Sequence, residues 1–92
     1  MEGQASISAD ILARYAADAA CEVEGVRGLA GRRGVRIAED TSIELRVVAE
    51  WGASIPALGL EVQKRVREYL GRMAGVEPAA VEVIVDEIGP AA

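Results

Sequence analysis

The sequence predicts an α+β fold, a two-layer α/β sandwich with element order α-β-β-β-α-β and a mixed sheet carrying both helices on one face. Three observations carry that reading. Residues 9–22 and 55–74 repeat apolar side chains at helical spacing, and residues 41–51 alternate apolar and polar as a strand buried on one face does. The order long strand, helix, last strand is a crossover unit, which sets those two strands parallel with a right-handed connection.

The first helix starts at Ile7-Ser8-Ala9-Asp10. Ser8 is an N-cap whose hydroxyl accepts an orphan amide hydrogen bond, Asp10 complements the positive helix end, and Ile7 staples onto Leu12. Ile11, Leu12, Tyr15, Ala16, Ala19 and Val23 form one stripe, with Asp10, Arg14 and Asp18 on the other side. The helix should run from about Ala9 to Cys21 or Glu22. Its many alanines allow a close approach to whatever it packs on.

After Gly25 the period changes. Val26–Leu29 fits a short strand or an extended turn, Val35 and Ile37 flank Arg36 in a second short strand, and Glu39-Asp40-Thr41 is a hairpin turn into the long one. In the long strand Ile43, Leu45, Val47, Ala49 and Trp51 share the inner face, and Ser42, Glu44, Arg46, Val48 and Glu50 the outer. Gly52 stops the strand, Ser54 or Ile55 caps the second helix, and Pro56 sits in its first turn, where a missing N–H costs nothing.

Ile55, Leu58, Val62, Val66, Tyr69, Leu70 and Met73 form the stripe of that helix, with Glu61/Arg65, Lys64/Glu68 and Glu68/Arg72 as pairs on the wet side. Gly75 ends it as a C′ residue. The last strand follows Pro78, with Val81, Val83 and Val85 facing inward and Glu82, Ile84 and Asp86 outward.

The 92 residues are read as a single domain, 1–92, with an ordered core over about 7–88 and short flexible tails. A chain of this length removes only about 60–65% of its unfolded surface from water, so it owns one modest core and no second. Phe is absent and the aromatics are Tyr15, Trp51 and Tyr69, which leaves Val, Ile, Leu and Ala to build that core. Ten basic residues against 15 acidic give a net charge of −5, a field that repels polyanions. One cysteine, Cys21, permits no internal disulfide, and a buried or half-buried structural thiol is the favoured reading of it.

The absence of histidine removes the commonest general base and metal ligand, so neither a catalytic residue nor a cofactor or metal site is expected. The acidic start Met1-Glu2-Gly3-Gln4 lacks the pattern of a signal peptide, and no apolar run approaches the roughly 18–20 residues needed to span a bilayer. A cytoplasmic protein without direct membrane insertion is the simplest expectation.

Three blocks carry a resemblance. Ile7-Ser8 with the alanine-rich helix and Glu22-Val23-Glu24-Gly25-Val26-Arg27-Gly28-Leu29 form the first; Val47-Val48-Ala49-Glu50-Trp51-Gly52-Ala53-Ser54-Ile55-Pro56, leading to Val62-Gln63 and Val66, the second; Val81-Glu82-Val83-Ile84-Val85 the third. In this order they resemble the bacterial alkaline shock protein family of small envelope stress response proteins. The resemblance implies a non-enzymatic cytoplasmic scaffold or adaptor that binds protein partners, is held at the membrane by a small membrane-spanning anchor protein, and self-associates. Trp51 departs from it, standing where the family more often has a tyrosine, as does the short loop Gly31 to Gly34.

The remaining candidates are weighed against plainer readings. Gly31-Arg32-Arg33-Gly34 resembles the loop of KH domains, but there the loop joins two helices, and here it lies between extended segments of an acidic protein. A nucleic-acid-binding module using Arg27, Arg32, Arg33 and Arg36 is therefore the alternative function, and a basic turn the leading reading. Trp51 reads as a core or rim aromatic before a ligand platform, and Glu39, Asp40, Asp86 and Glu87 as solvated turn residues before a cation site. The candidate partner contacts are Arg32, Arg33, Arg46, Val48 and Ile84, the last two being aliphatic residues on an otherwise charged outer sheet face.

Overall fold

A computed structural model describes residues 7–31 and 34–89. The elements are α1 (Ala9–Cys21), β1 (Val26–Leu29), β2 (Val35–Ile37), β3 (Ile43–Ala49), α2 (Ile55–Ala74) and β4 (Val81–Ile88), in the order the sequence predicts. The expected tails and the two arginines at 32 and 33 lie outside the described residues.

Strand β3 is the centre of the sheet. It pairs antiparallel with β1 and β2 and parallel with β4, so the sheet is mixed and α2 is the crossover between its parallel pair. The alternation that predicts β3 also divides its hydrogen bonds. Arg46 N–H and C=O and Glu50 N–H bond toward the β1–β2 side, and Ile43 N–H and Ala49 C=O toward β4. Its side chains Ile43, Leu45, Val47 and Ala49 are buried, and Glu44, Arg46 and Val48 form the other face.

One arrangement is not in the sequence pattern. The strands β1 and β2 do not lie side by side; both pair with the same edge of β3, β1 with Val47–Ala49 and β2 with Ile43–Leu45. Ala30 N–H donates to the Arg46 carbonyl at 2.8 Å, and Arg46 N–H donates to the Gly34 carbonyl at 2.7 Å. A single residue of β3 thus closes the gap between the two short strands, which read together as one interrupted strand. Two of the three neighbours of β3 also carry an irregularity near Val48: the register shifts between Val26 and Gly28 on β1, and Val47 and Val48 pair with Val85 and Glu87 on β4, leaving Asp86 as the extra residue.

The core is one cluster between the sheet and both helices. Leu12, Ala16, Ala19 and Ala20 of α1 and Leu58, Val62, Val66 and Leu70 of α2 meet the inner side chains of β3 together with Val26 and Val81. The alanines let α1 sit close, and Tyr15 meets Tyr69 edge to face across the two helices, with ring centroids 5.8 Å apart. Two residues assigned to the helical stripes are outside it: Ile11 is 43% exposed and Met73 47%. Ile11 lies on the rim because Leu12, about 100° further around the helix, takes the inward direction; Met73 is in the last turn, beyond the buried Leu70.

Caps and turns largely follow the residue chemistry. The Ser8 hydroxyl accepts from Ile11 N–H at 3.2 Å. Ser54 is the N-cap of α2, but its side chain makes no capping bond, and Pro56 in the first turn lowers the number of amides that need one. Gly75 adopts the left-handed conformation, φ 66°, and its N–H returns to the Gly71 carbonyl.

The β2–β3 turn closes through Thr41 N–H to the Ala38 carbonyl and Ala38 N–H to the Ser42 carbonyl, and Asp40 accepts from Ser42 N–H at 2.9 Å. Thr41 has φ 69°, a conformation that β-branched residues avoid. Its hydroxyl accepts from Ala79 N–H at 3.2 Å, which ties this turn to the approach of β4 and gives a reason for threonine where glycine is the easier residue.

Of the expected helix pairs, Glu61/Arg65 forms at 3.7 Å. Arg65 also reaches Glu22 at the end of α1, at 3.3 Å, and so joins the two helices. Arg72 instead lies over the Tyr69 ring, 5.6 Å from its centroid, and the Lys64/Glu68 and Glu68/Arg72 pairs are not among the ion pairs of the described residues.

Candidate functional site

The inner side chains of β3 are buried in the core that both helices share, and its outer side chains Glu44, Arg46 and Val48 stand on the opposite face of the sheet. The register places Arg36, Glu44 and Glu82 in one row across it, and Arg46 beside Ile84 in the next. Val48 follows two residues further along β3. The structure therefore brings together three of the five expected contact residues, Arg46, Val48 and Ile84, all half-buried. Arg32 and Arg33 lie outside the described residues, but Ala30 and Gly34, which bracket their segment, are both bonded to Arg46.

Arg46 is the hub of the charges on this face. Its Nη1 lies 3.3 Å from Asp86 Oδ1, its Nη2 is 4.0 Å from Glu44 Oε2, and Glu44 also meets Arg36 at 3.8 Å. The resulting order, Arg36–Glu44–Arg46–Asp86, alternates in sign across three strands. Exposed pairs of this kind contribute only about 0–1 kcal/mol each to stability. Their larger effect is to hold the long Arg46 side chain over the sheet, so that Val48 and Ile84 present a small aliphatic area framed by fixed charges.

This pairing also weakens the polyanion reading. Arg36 and Arg46 face carboxylates, and the aliphatic stem of Arg27 lies against Gly89, where an added Cβ would come within 2.6 Å of its Cδ. The guanidinium groups are thus partly committed to the protein itself.

Two other candidate residues lie away from their sequence-based positions. Trp51 does not continue the inner face of β3; the strand ends at Ala49, and Trp51 sits in the following turn, 67% exposed. The alternation runs on through Glu50 and Trp51 in the sequence, but the backbone turns here to reach α2, with Ala53 N–H bonded to the Glu50 carbonyl. Cys21 is exposed at the end of α1, against the expectation of a buried or half-buried thiol. Its remaining contact with the protein raises the thiol pKa, and the neighbouring Asp18 charge raises it further, so exposure does not make it a ready nucleophile.

An open groove of about 550 Å³ between the end of α1 and the start of α2 is lined by Glu22, Glu24, Ser54, Glu61 and Arg65 among others. Arg65 already bonds both Glu22 and Glu61, so this groove offers neither a free cation nor a focused negative site. Among the described residues no three potential ligands gather as a metal site. Two of the four carboxylates near strand ends have other partners: Ser42 N–H holds Asp40 below the usual carboxylate range, and Asp86 pairs with Arg46.

Comparison with known families agrees with the order of blocks in the chain. The model of the alkaline shock protein 23 family, cell envelope-related function, matches residues 31–90, more than half of the sequence. The chain belongs to this family. The matched segment runs from the interrupted edge strand through β3, α2 and β4, so it contains the second and third of the blocks on which the resemblance rests and lies beyond the first. Neither the curated proteins nor the solved structures compared gave a match. Its family membership assigns the chain a cell envelope-related role. No helix among the described residues is long and apolar enough to cross a membrane.

Proposed function

We propose that this protein is a non-enzymatic adaptor on the cytoplasmic side of the bacterial cell envelope, recruited by a small membrane-spanning partner and acting in the envelope stress response by binding other proteins and itself. The family's cell envelope-related role supports the location. The observation that carries the adaptor reading is the outer sheet face, where Val48 and Ile84 flank an Arg46 held by Asp86 and Glu44. An aliphatic centre with a charged rim is the arrangement by which protein interfaces combine burial with orientation.

The test is affinity capture from detergent-solubilised membranes with the wild-type chain and with Ile84→Asp, each first shown to be folded by circular dichroism. Wild type should retain a small membrane protein that the variant loses, and light scattering should show an assembly larger than a monomer for wild type. A chain that stays monomeric at high concentration and retains no membrane protein refutes the reading.

A further inference from the structure

The sheet has one long edge that no described element covers. Strand β4 is bonded to β3 on one side only. Ile43 N–H donates to the Ala80 carbonyl, and the register then alternates, so Glu82 and Ile84 direct their backbone groups at β3 while Val81, Val83 and Val85 direct theirs at the free edge. The Val81 carbonyl is already taken, by Gln63 Nε2 at 2.9 Å. The backbone donors and acceptors of Val83 and Val85 are left facing outward along an eight-residue strand.

A bare edge of this length invites pairing, and proteins usually guard it with charge, most often lysine. Here the exposed side chains of the strand are Glu82, Asp86 and Glu87 with Ile88 at its end, so every charge on it is acidic, and β4 contains no basic residue. That charge selects the occupant. A second copy pairing antiparallel about Ile84 would set Glu82 opposite the other copy's Asp86, twice; Arg46 of each copy pairs with its own Asp86, so the seam would gather three carboxylates against one guanidinium from each copy, and like charges facing each other are destabilising. A strand with Lys or Arg at alternate positions meets the same carboxylates favourably and completes the outward hydrogen bonds.

We infer that the β4 edge is a strand-addition site for an extended, basic segment of a partner protein, held by the backbone of Val83 and Val85 and selected by Glu82 and Glu87, Asp86 being already paired with Arg46. This rests on the adaptor reading and names the kind of partner segment and where it docks. Exposed Trp51 stands at the same end of the sheet as the end of β4, where Ile88 pairs with Ala49, and supplies an optical reporter of occupancy.

The probe is an acetylated, amidated heptapeptide, Thr-Lys-Val-Lys-Val-Lys-Thr, titrated into the full chain and followed by amide NMR shifts and hydrogen exchange. Slowed exchange at the Val83 and Val85 amides is expected, with binding that weakens as salt rises. Methylating one alternate set of peptide amides should abolish binding and methylating the other should leave it, because only one set faces the edge. The Glu82→Lys/Glu87→Lys variant should lose at least tenfold in affinity for this peptide and gain affinity for its Glu-substituted counterpart.

Binding that ignores both methylated forms, shifts that map to the helices, or Val83 and Val85 amides already protected by dimerisation of the free chain would each overturn the inference. If the charge-reversed variant still captures the membrane partner of wild type, the edge is not the docking site while the adaptor reading stands. Peptide binding as described, with no partner recovered from membranes, leaves the edge site and removes the adaptor.

Discussion

The two glycines that bracket Arg32 and Arg33 are needed for different reasons, and replacing each tests how the interrupted strand closes. Gly31 has φ 74° with nothing within 4 Å of an added Cβ, so its requirement is conformational. At Gly34 the conformation is ordinary, but a Cβ would lie 2.7 Å from the Leu29 Cβ, 3.2 Å from the Arg46 carbonyl oxygen and 3.3 Å from Ala30 N, so its requirement is space. Gly31→Ala should cost about 1–2 kcal/mol for the left-handed residue, less about 0.4–1 kcal/mol from the stiffer unfolded chain. Gly34→Ala forces apart the contacts that close the gap, at about 1–3 kcal/mol with the same offset.

Alanine alone does not separate the two causes, but asparagine does. It tolerates φ > 0, so Gly31→Asn should lie within about 0.5 kcal/mol of wild type, whereas the larger side chain makes Gly34→Asn worse than Gly34→Ala. Urea unfolding followed by far-ultraviolet circular dichroism measures all four variants, and thermal melts check them, since at this chain length each 1 kcal/mol moves the melting temperature by roughly 4–8 °C. A neutral Gly34→Asn combined with a destabilised Gly31→Asn would refute the assignment of space to one glycine and conformation to the other.

Three further expectations follow from the core, the thiol and the turn. Leu70 is fully buried near the C-terminal end of α2, so Leu70→Ala should cost about 2–5 kcal/mol, a large part of the stability of a domain this small, as read by the shift in urea midpoint. Cys21 should alkylate more slowly with iodoacetamide at pH 8 in the folded chain than in urea, and Asp18→Asn should speed the folded reaction, because both desolvation and that carboxylate raise the thiol pKa. The Asp40 carboxylate is held below its ordinary pKa by Ser42 N–H, so it contributes stability above the unfolded value that is lost as pH falls through the lower folded one; the stability gap between wild type and Asp40→Ala should narrow below about pH 4, seen in thermal melts across that range.

The fold was legible where residue pattern and local chemistry agree. The alternation of Ile43 to Ala49, the Ser8 cap, the Gly75 stop and the crossover through α2 each depend on neighbours in sequence, and each appears in the structure. What escaped depends on residues far apart. That β1 and β2 share one edge of β3 is decided by Arg46 bonding Ala30 and Gly34 together, and the irregularities at Arg27 and Asp86 arise from how both neighbours fit the same end of β3. Trp51 was misplaced because a period of two continues past the point where the backbone turns.

The outer-face cluster was half legible. The faces of Arg46, Val48 and Ile84 follow from alternation, whereas the ion pairs that hold Arg46 need the register between β3 and β4, which no single strand records. The free edge of β4 needs the whole strand order. Its acidic character was visible in the residues, but not that nothing would cover it.

Because Ala30 and Gly34 are both anchored on Arg46, the two described ends that flank residues 32 and 33 are held at a single point of the sheet, like a door hung on one hinge. Whatever length of chain is inserted there hangs outside the hydrogen-bonded frame, and each doubling of it costs only about 0.6 kcal/mol in closure entropy. The frame on both sides of this segment is therefore fixed independently of it, and a longer or differently charged insertion there is expected to leave β1, β2 and β3 in place.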